Sequence, residues 1–115
     1  MPAPLEDLLT VDRLVHEPAR LAILTALSAC SEADFQFLQS ITGLPQGNLS
    51  GHLAKLEEGG LVTIEKRFKG KYPQTHLQIT PAGRAAFQHH WNRLEASRKA
   101  AKGWRAWSRR SATAH

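Results

Sequence analysis

The chain predicts a mainly α fold carrying one small β-hairpin, and three observations lead there. Apolar residues recur at helical spacing through most of the 115 positions. Between Val62 and Ile79 the period shortens to two, as in paired strands. Prolines and glycines stand where helices should begin and end. The length suits a single domain with a modest core. With 42% hydrophobic residues and eight glycines the composition is globular.

The elements follow in order. Leu5, Leu8, Leu9, Asp12 and Val15 fit a first amphipathic helix, with Pro4 in its opening turn. Pro18 starts a second helix, where Leu21, Leu24 and Leu27 with Ala22 and Ala26 mark the buried side. Ser31 or Asp34 can cap a short third helix through Phe37, Leu38 and Ile41, which stops at Gly43. Pro45 opens a fourth helix with Leu49, Leu53 and Leu56 inward, ending at Gly59-Gly60.

Val62, Ile64 and Phe68 then alternate with Thr63, Glu65 and Arg67, and Leu77 and Ile79 with His76 and Gln78. Lys69-Gly70-Lys71-Tyr72-Pro73 supplies the turn of an antiparallel hairpin with a basic tip. Thr80-Pro81 launches a long last helix with Phe87, Trp91 and Leu94 on one face. The expected domain is 1–103. A basic tail, 104–115, follows, and its last ten or so residues are expected to be poorly ordered.

Charge is unevenly placed. Residues 1–50 hold six acids and two bases, a net of −4; residues 51–115 hold four acids and thirteen bases, a net of +9. The second half is suited to a polyanion, although basic tails also serve solubility. Other function classes find little support. The single Cys30 excludes an internal disulfide framework and any Cys-rich zinc site, and its apolar helix end predicts an inert buried thiol. His89 and His90 are adjacent and so point about 100° apart on a helix. Gly70-Lys71 lacks the context of a phosphate-binding loop, and no Ser-His-Asp arrangement is recognisable. No metal, cofactor or catalytic residue is expected, and the chain reads as a non-enzyme. Leu21 to Ser31, the uncharged stretch, is eleven residues long against the roughly 20 a membrane span needs. With no basic-then-apolar leader after Met1, a soluble cytoplasmic protein without a membrane partner is expected.

The third and fourth helices, separated by Thr42-Gly43-Leu44-Pro45, have the dimensions of a helix-turn-helix, and the hairpin adds a wing. Here the sequence resembles a known family. The carriers are Asp12-Arg13-Leu14-Val15-His16-Glu17-Pro18-Ala19-Arg20-Leu21-Ala22-Ile23-Leu24, Thr42-Gly43-Leu44, Gly47-Asn48-Leu49-Ser50-Gly51-His52-Leu53-Ala54-Lys55-Leu56-Glu57, Gly60-Leu61-Val62 and Leu77-Gln78-Ile79-Thr80-Pro81-Ala82-Gly83-Arg84. In that order and spacing they look like winged helix-turn-helix transcriptional regulators of the MarR/ArsR type, over roughly residues 8–95. The resemblance implies a winged helix-turn-helix with extra N- and C-terminal helices, in a small homodimeric regulator that binds operator DNA. The family usually has Ser or Thr where Pro45 stands.

The residues read the same way. With its leucines inward, the fourth helix turns Gly47, Gly51, Ala54, Lys55 and Glu58 outward, with Asn48 and Ser50 on the flanks. Small Gly47 and Gly51 let the backbone approach a groove floor; Gln46, Asn48 and Ser50 can bond base edges or phosphates, and Lys55 suits phosphate. In the wing, Lys66, Arg67, Lys69 and Lys71 fall within six positions, suited to phosphates, with Arg67 the candidate for a narrow minor groove. Lysines there also protect an edge strand from aggregation. Arg20 can pair with Glu17 or reach phosphate, and a structural pair is favoured. Leu5, Leu8 and Leu9 with Phe87, Trp91 and Leu94 are the candidates for a two-fold dimer interface.

In the tail and the helix before it, Arg98, Lys99, Lys102, Arg105, Arg109 and Arg110 with Trp104 and Trp107 form either an arm for DNA or an acidic surface, or a dock on the partner subunit. Together these features predict a sequence-specific regulator of double-stranded DNA, a dimeric repressor. The rival is a winged-helix protein-interaction module without DNA readout. No pocket for a small-molecule effector is legible, so such a partner stays unknown.

Overall fold

The computed structural model describes residues 12–103. The first helix among the described residues, α1, covers Arg13–His16, and the Asp12 carboxylate accepts the Leu14 N–H at 2.9 Å. Asp12 therefore caps a helix instead of lying within one, correcting the expected run from Leu5 to Val15. Leu5, Leu8 and Leu9 lie outside the described residues. Glu17 then caps α2, Pro18–Cys30, by accepting the Arg20 N–H at 3.1 Å, with proline in the first turn.

The buried side of α2 is Ile23, Leu24 and Leu27. The expected Leu21 lies half-buried at the core margin, because the stripe is rotated toward Ile23. Cys30 is exposed, against the expected buried thiol, since its helical turn runs past the core as the chain leaves for the sheet. Ser31 ends α2 with φ 69°, in the left-handed half of the map, and donates its N–H to Leu27 at 2.7 Å.

A strand the sequence does not announce follows. β1, Glu32–Asp34, buries Ala33. Asp34 then caps α3, Phe35–Thr42, accepting the Phe37 N–H at 2.7 Å. Of the two candidate caps, Asp34 serves α3 while Ser31 closes α2. Leu38 is fully buried, whereas Phe37 and Ile41, expected beside it, are exposed. The inward face runs instead through Phe35, Leu38 and Thr42, leaving Phe37 and Ile41, one turn apart, on the outer side. Gly43, at φ 72°, supplies the left-handed stop.

After Gly43, Leu44 and Pro45 comes α4, Gln46–Glu58, with Pro45 just outside it as the cap residue. β2, Val62–Lys69, and β3, Tyr72–Ile79, form the hairpin, and the sheet order is β1-β3-β2, antiparallel throughout. Pairing continues to Lys69↔Tyr72, so the loop is only Gly70-Lys71, shorter than the five residues expected. Gly70 has φ 65°, the conformation a two-residue hairpin loop requires at that position. Pro73 is tolerated within β3 because β1 ends opposite His76, leaving that side of β3 an edge.

The last helix, α5, covers Pro81–Lys102. Thr80 accepts the Gly83 N–H at 2.9 Å and donates to the Gly60 carbonyl at 2.7 Å. One core joins α1, α2, α3, α4 and the sheet through Val15, Leu24, Leu38, Leu53 and Leu77. Against it lies His90 of α5, buried, with neither ring nitrogen hydrogen-bonded and the His16 ring 5.3 Å away. Burial, then the neighbouring His16 and Arg93, push the His90 pKa below its ordinary value despite Asp12. No helix among the described residues is long and apolar enough to cross a membrane.

Candidate nucleic-acid interface

The fourth helix has two unlike faces. Inward, Leu49, Leu53 and Leu56 are buried in the core. Outward, Gln46, Gly47, Asn48, Ser50, Gly51 and Lys55 are all exposed, so every candidate on this helix lies on its solvent side. A Cβ added at Gly47 or Gly51 would meet nothing within 4 Å. Each helical glycine costs about 0.8–1.0 kcal/mol relative to alanine, and no internal contact demands either one.

The start of α4 is equally open. No side chain caps it, and its first intrahelical bond runs from Leu49 N–H to the Pro45 carbonyl at 2.9 Å. The N–H groups of Gln46, Gly47 and Asn48 therefore lack an intrahelical acceptor. Oriented amides and the positive end of the helix dipole together suit an anion such as phosphate.

What orients this helix is only partly visible in the sequence. Arg20 Nε donates to His52 Nδ1 on α4 at 3.2 Å, and its Nη1 donates to the Leu14 carbonyl at 3.3 Å. The same His52 nitrogen lies 3.4 Å from Glu17 Oε2. Burial pushes the Glu17 carboxyl up, but the Ala19 and Arg20 amides with His52 and Arg20 hold it below the usual carboxylate range. Arg20 thus ties α1, α2 and α4 together, the structural role favoured from the sequence but with His52 as its side-chain partner. No spacing rule signals a contact between residues 32 apart. At the other end, Glu57 Oε2 accepts the Ile64 N–H at 3.3 Å and links α4 to the wing.

All four wing cations, Lys66, Arg67, Lys69 and Lys71, are exposed around the tip. Arg67 pairs with Glu65 at 2.9 Å, which lowers the Glu65 pKa and raises that of Arg67. Such an exposed pair is weak and can be exchanged for a phosphate. Beside the wing, Asp34, Gln36, Lys69, Tyr72 and Gln74 line a polar groove of about 510 Å³, across which Gln74 donates to Asp34 at 3.2 Å.

The candidate dimer residues on α5 are placed differently from one another. Phe87 packs partly on the core, its ring edge-on to Trp91 at 6.1 Å; Trp91 is exposed and Leu94 half-buried. Arg98 pairs with Glu95 at 2.7 Å, and Lys99 and Lys102 are exposed. Trp104, Arg105, Trp107, Arg109 and Arg110 lie outside the described residues. Among the described residues no group of three His, Cys, Asp or Glu side chains is placed to hold a metal.

Known proteins offer four similarities. A family described as winged helix DNA-binding domain matches residues 19–97. An uncharacterized protein of Methanocaldococcus jannaschii is 35% identical over 79 residues, 68% of this chain and 85% of that protein. Among solved structures, a transcriptional regulator homologue from Pyrococcus horikoshii superposes with TM-score 0.78 at 26% identity, covering 85% of this chain and 97% of that one. A MarR-family transcriptional regulator from Silicibacter pomeroyi gives TM-score 0.63 at 28% identity, covering 83% and 62%.

Proposed function

The chain belongs to the winged helix DNA-binding domain family, and from that premise we propose that it is a sequence-specific transcriptional regulator, a dimeric repressor of the cytoplasm. One observation carries the reading. The outward face of α4 keeps two helical glycines that nothing inside the molecule requires. Gly47 and Gly51 let the helix backbone approach the floor of the major groove, while Asn48 and Ser50 reach base edges. The uncapped amides of α4, with Lys55, meet phosphate. The wing cations add affinity that carries little sequence information.

A homodimer joined through the terminal helices, with Trp91 exposed on α5, sets two such helices about 34 Å apart on one side of the duplex. The polar groove between wing and α3 is the place where a small-molecule effector would find room.

Selection of bound duplexes from a random pool tests the core of this reading, since it reports binding, half-site spacing and base preference together. Recovery of no preferred duplex would leave the protein-interaction module as the account. For the wing, a Lys69→Ala/Lys71→Ala variant should weaken binding to all duplexes alike. The slope of log affinity against log salt should become shallower by roughly 1.8, about 0.9 for each phosphate no longer neutralised. Sedimentation at micromolar concentration checks the dimer, and a monomer bound to a single half-site would contradict it.

A further inference from the structure

The tip of the wing carries more than charge. Phe68 and Tyr72 are 76% and 77% exposed, the most exposed large apolar residues among those described. Neither sits on a loose loop: Phe68 is paired with Pro73, and Tyr72 with Lys69, in the last two rungs of the hairpin ladder. The two-residue period puts Phe68, Pro73 and Lys66 on one face of the ribbon and Tyr72, Lys69 and Arg67 on the other. Further back along the Phe68 face, Ile64 is half-buried and Val62 and Leu77 are buried. The same face therefore changes from core to fully wet aromatic as the ribbon leaves the body.

An apolar ring held out on a rigid ribbon gains nothing from its own fold. Its neighbours narrow the choice of partner. Lys66 shares the Phe68 face, Arg67 and Lys69 stand on the opposite face and Lys71 in the loop, and lysine is depleted from the apolar centres of protein interfaces. A partner that accepts four cations and an aromatic ring together is a polyanion with stackable faces. The ribbon itself is too wide for the minor groove, about 6 Å across, but single side chains standing off its tip can reach in. Phenylalanine and proline are among the side chains that wedge between base pairs there.

Resting on the DNA-binding reading above, we infer that Phe68, backed by Pro73, is a wedge that enters a base-pair step from the minor groove and kinks the duplex. Lys66, Lys69 and Lys71 hold the flanking phosphates during that insertion. The energetic consequence is a preference for a readily unstacked step, TA or CA/TG, at a position where no side chain reads a base edge.

The test uses the full chain and a duplex selected from a random pool, with 2-aminopurine placed in turn at each step under the wing. Bending is read from circularly permuted duplexes. The wild type should bend the duplex and raise 2-aminopurine emission at one step. Phe68→Ala should abolish both and weaken binding roughly tenfold, while keeping the wild-type salt slope. Phe68→Leu, still a wedge, should retain the bend, and Tyr72→Ala, on the other face, should leave it unchanged. Because Phe68 is outside the core, circular dichroism should show every variant folded. Bending and affinity that survive Phe68→Ala overturn the wedge alone. A wild type that selects no duplex overturns the functional reading on which it rests.

Discussion

Helix α4 and the start of α5 both carry glycine, for opposite reasons. At Gly83 an added Cβ would run into the Leu61 carbonyl and crowd Ile79 Cγ1. The helix can lie against the base of the sheet only if that position is bare. At Gly47 and Gly51 an added Cβ would meet empty space. One glycine serves the protein's own packing; the other two meet no internal contact that would require them, and under the proposed function they leave room for DNA. In a helix, where glycine has a cost, what surrounds it separates architecture from function.

The contrast can be broken most strongly at Gly83. Gly83→Ala should destabilise the protein by roughly 1–3 kcal/mol, the usual cost of forcing atoms into a packed site. Chemical denaturation measures it, and an unchanged midpoint would mean that α5 can shift freely off the sheet. Next in size is the converse at α4. Gly47→Ala and Gly51→Ala should each stabilise by about 0.8–1.0 kcal/mol from helix propensity, yet weaken binding of a selected duplex roughly tenfold, the discrimination that one good base pairing supplies. Variants that gain stability and keep full affinity would remove the backbone-approach argument.

The smallest effect sharpens the inner side of the comparison. The packed His90 has a depressed pKa, whereas in the unfolded chain it titrates near 6.5. Below that value the unfolded state binds more protons, so this contribution to stability is full above about pH 6.5 and declines as the pH falls toward the folded-state pKa. Thermal melts across that window should show the decline, and His90→Leu should flatten it. A wild-type profile matching that of the variant would mean that His90 gains a proton without leaving its packed site.

The exposure of the candidate interface residues was legible because it is written locally. The stripe of Leu49, Leu53 and Leu56 sets the phase of α4, and that phase puts Gln46, Gly47, Asn48, Ser50, Gly51 and Lys55 outside. The basic hairpin is equally plain in its alternation. Phe68 misled the same rule: alternation assigned it to the apolar face, but that face has no body behind it near the tip. Phe37 and Ile41 misled helical periodicity in a similar way, since a short helix offers too few turns to establish its phase.

Short-range pattern was enough to define the main helices, the cap at Thr80 and the hairpin, and it narrowed the cap of α3 to Ser31 or Asp34, because a cap or a turn is closed by residues only a few positions apart. Long-range closure settled the remainder. β1 exists because Ala33 finds Leu77, and α4 is held by an arginine 32 residues away from its histidine. Neither contact leaves a periodic trace along the chain, since each becomes favourable only after the intervening helices have packed and brought the two partners within bonding distance.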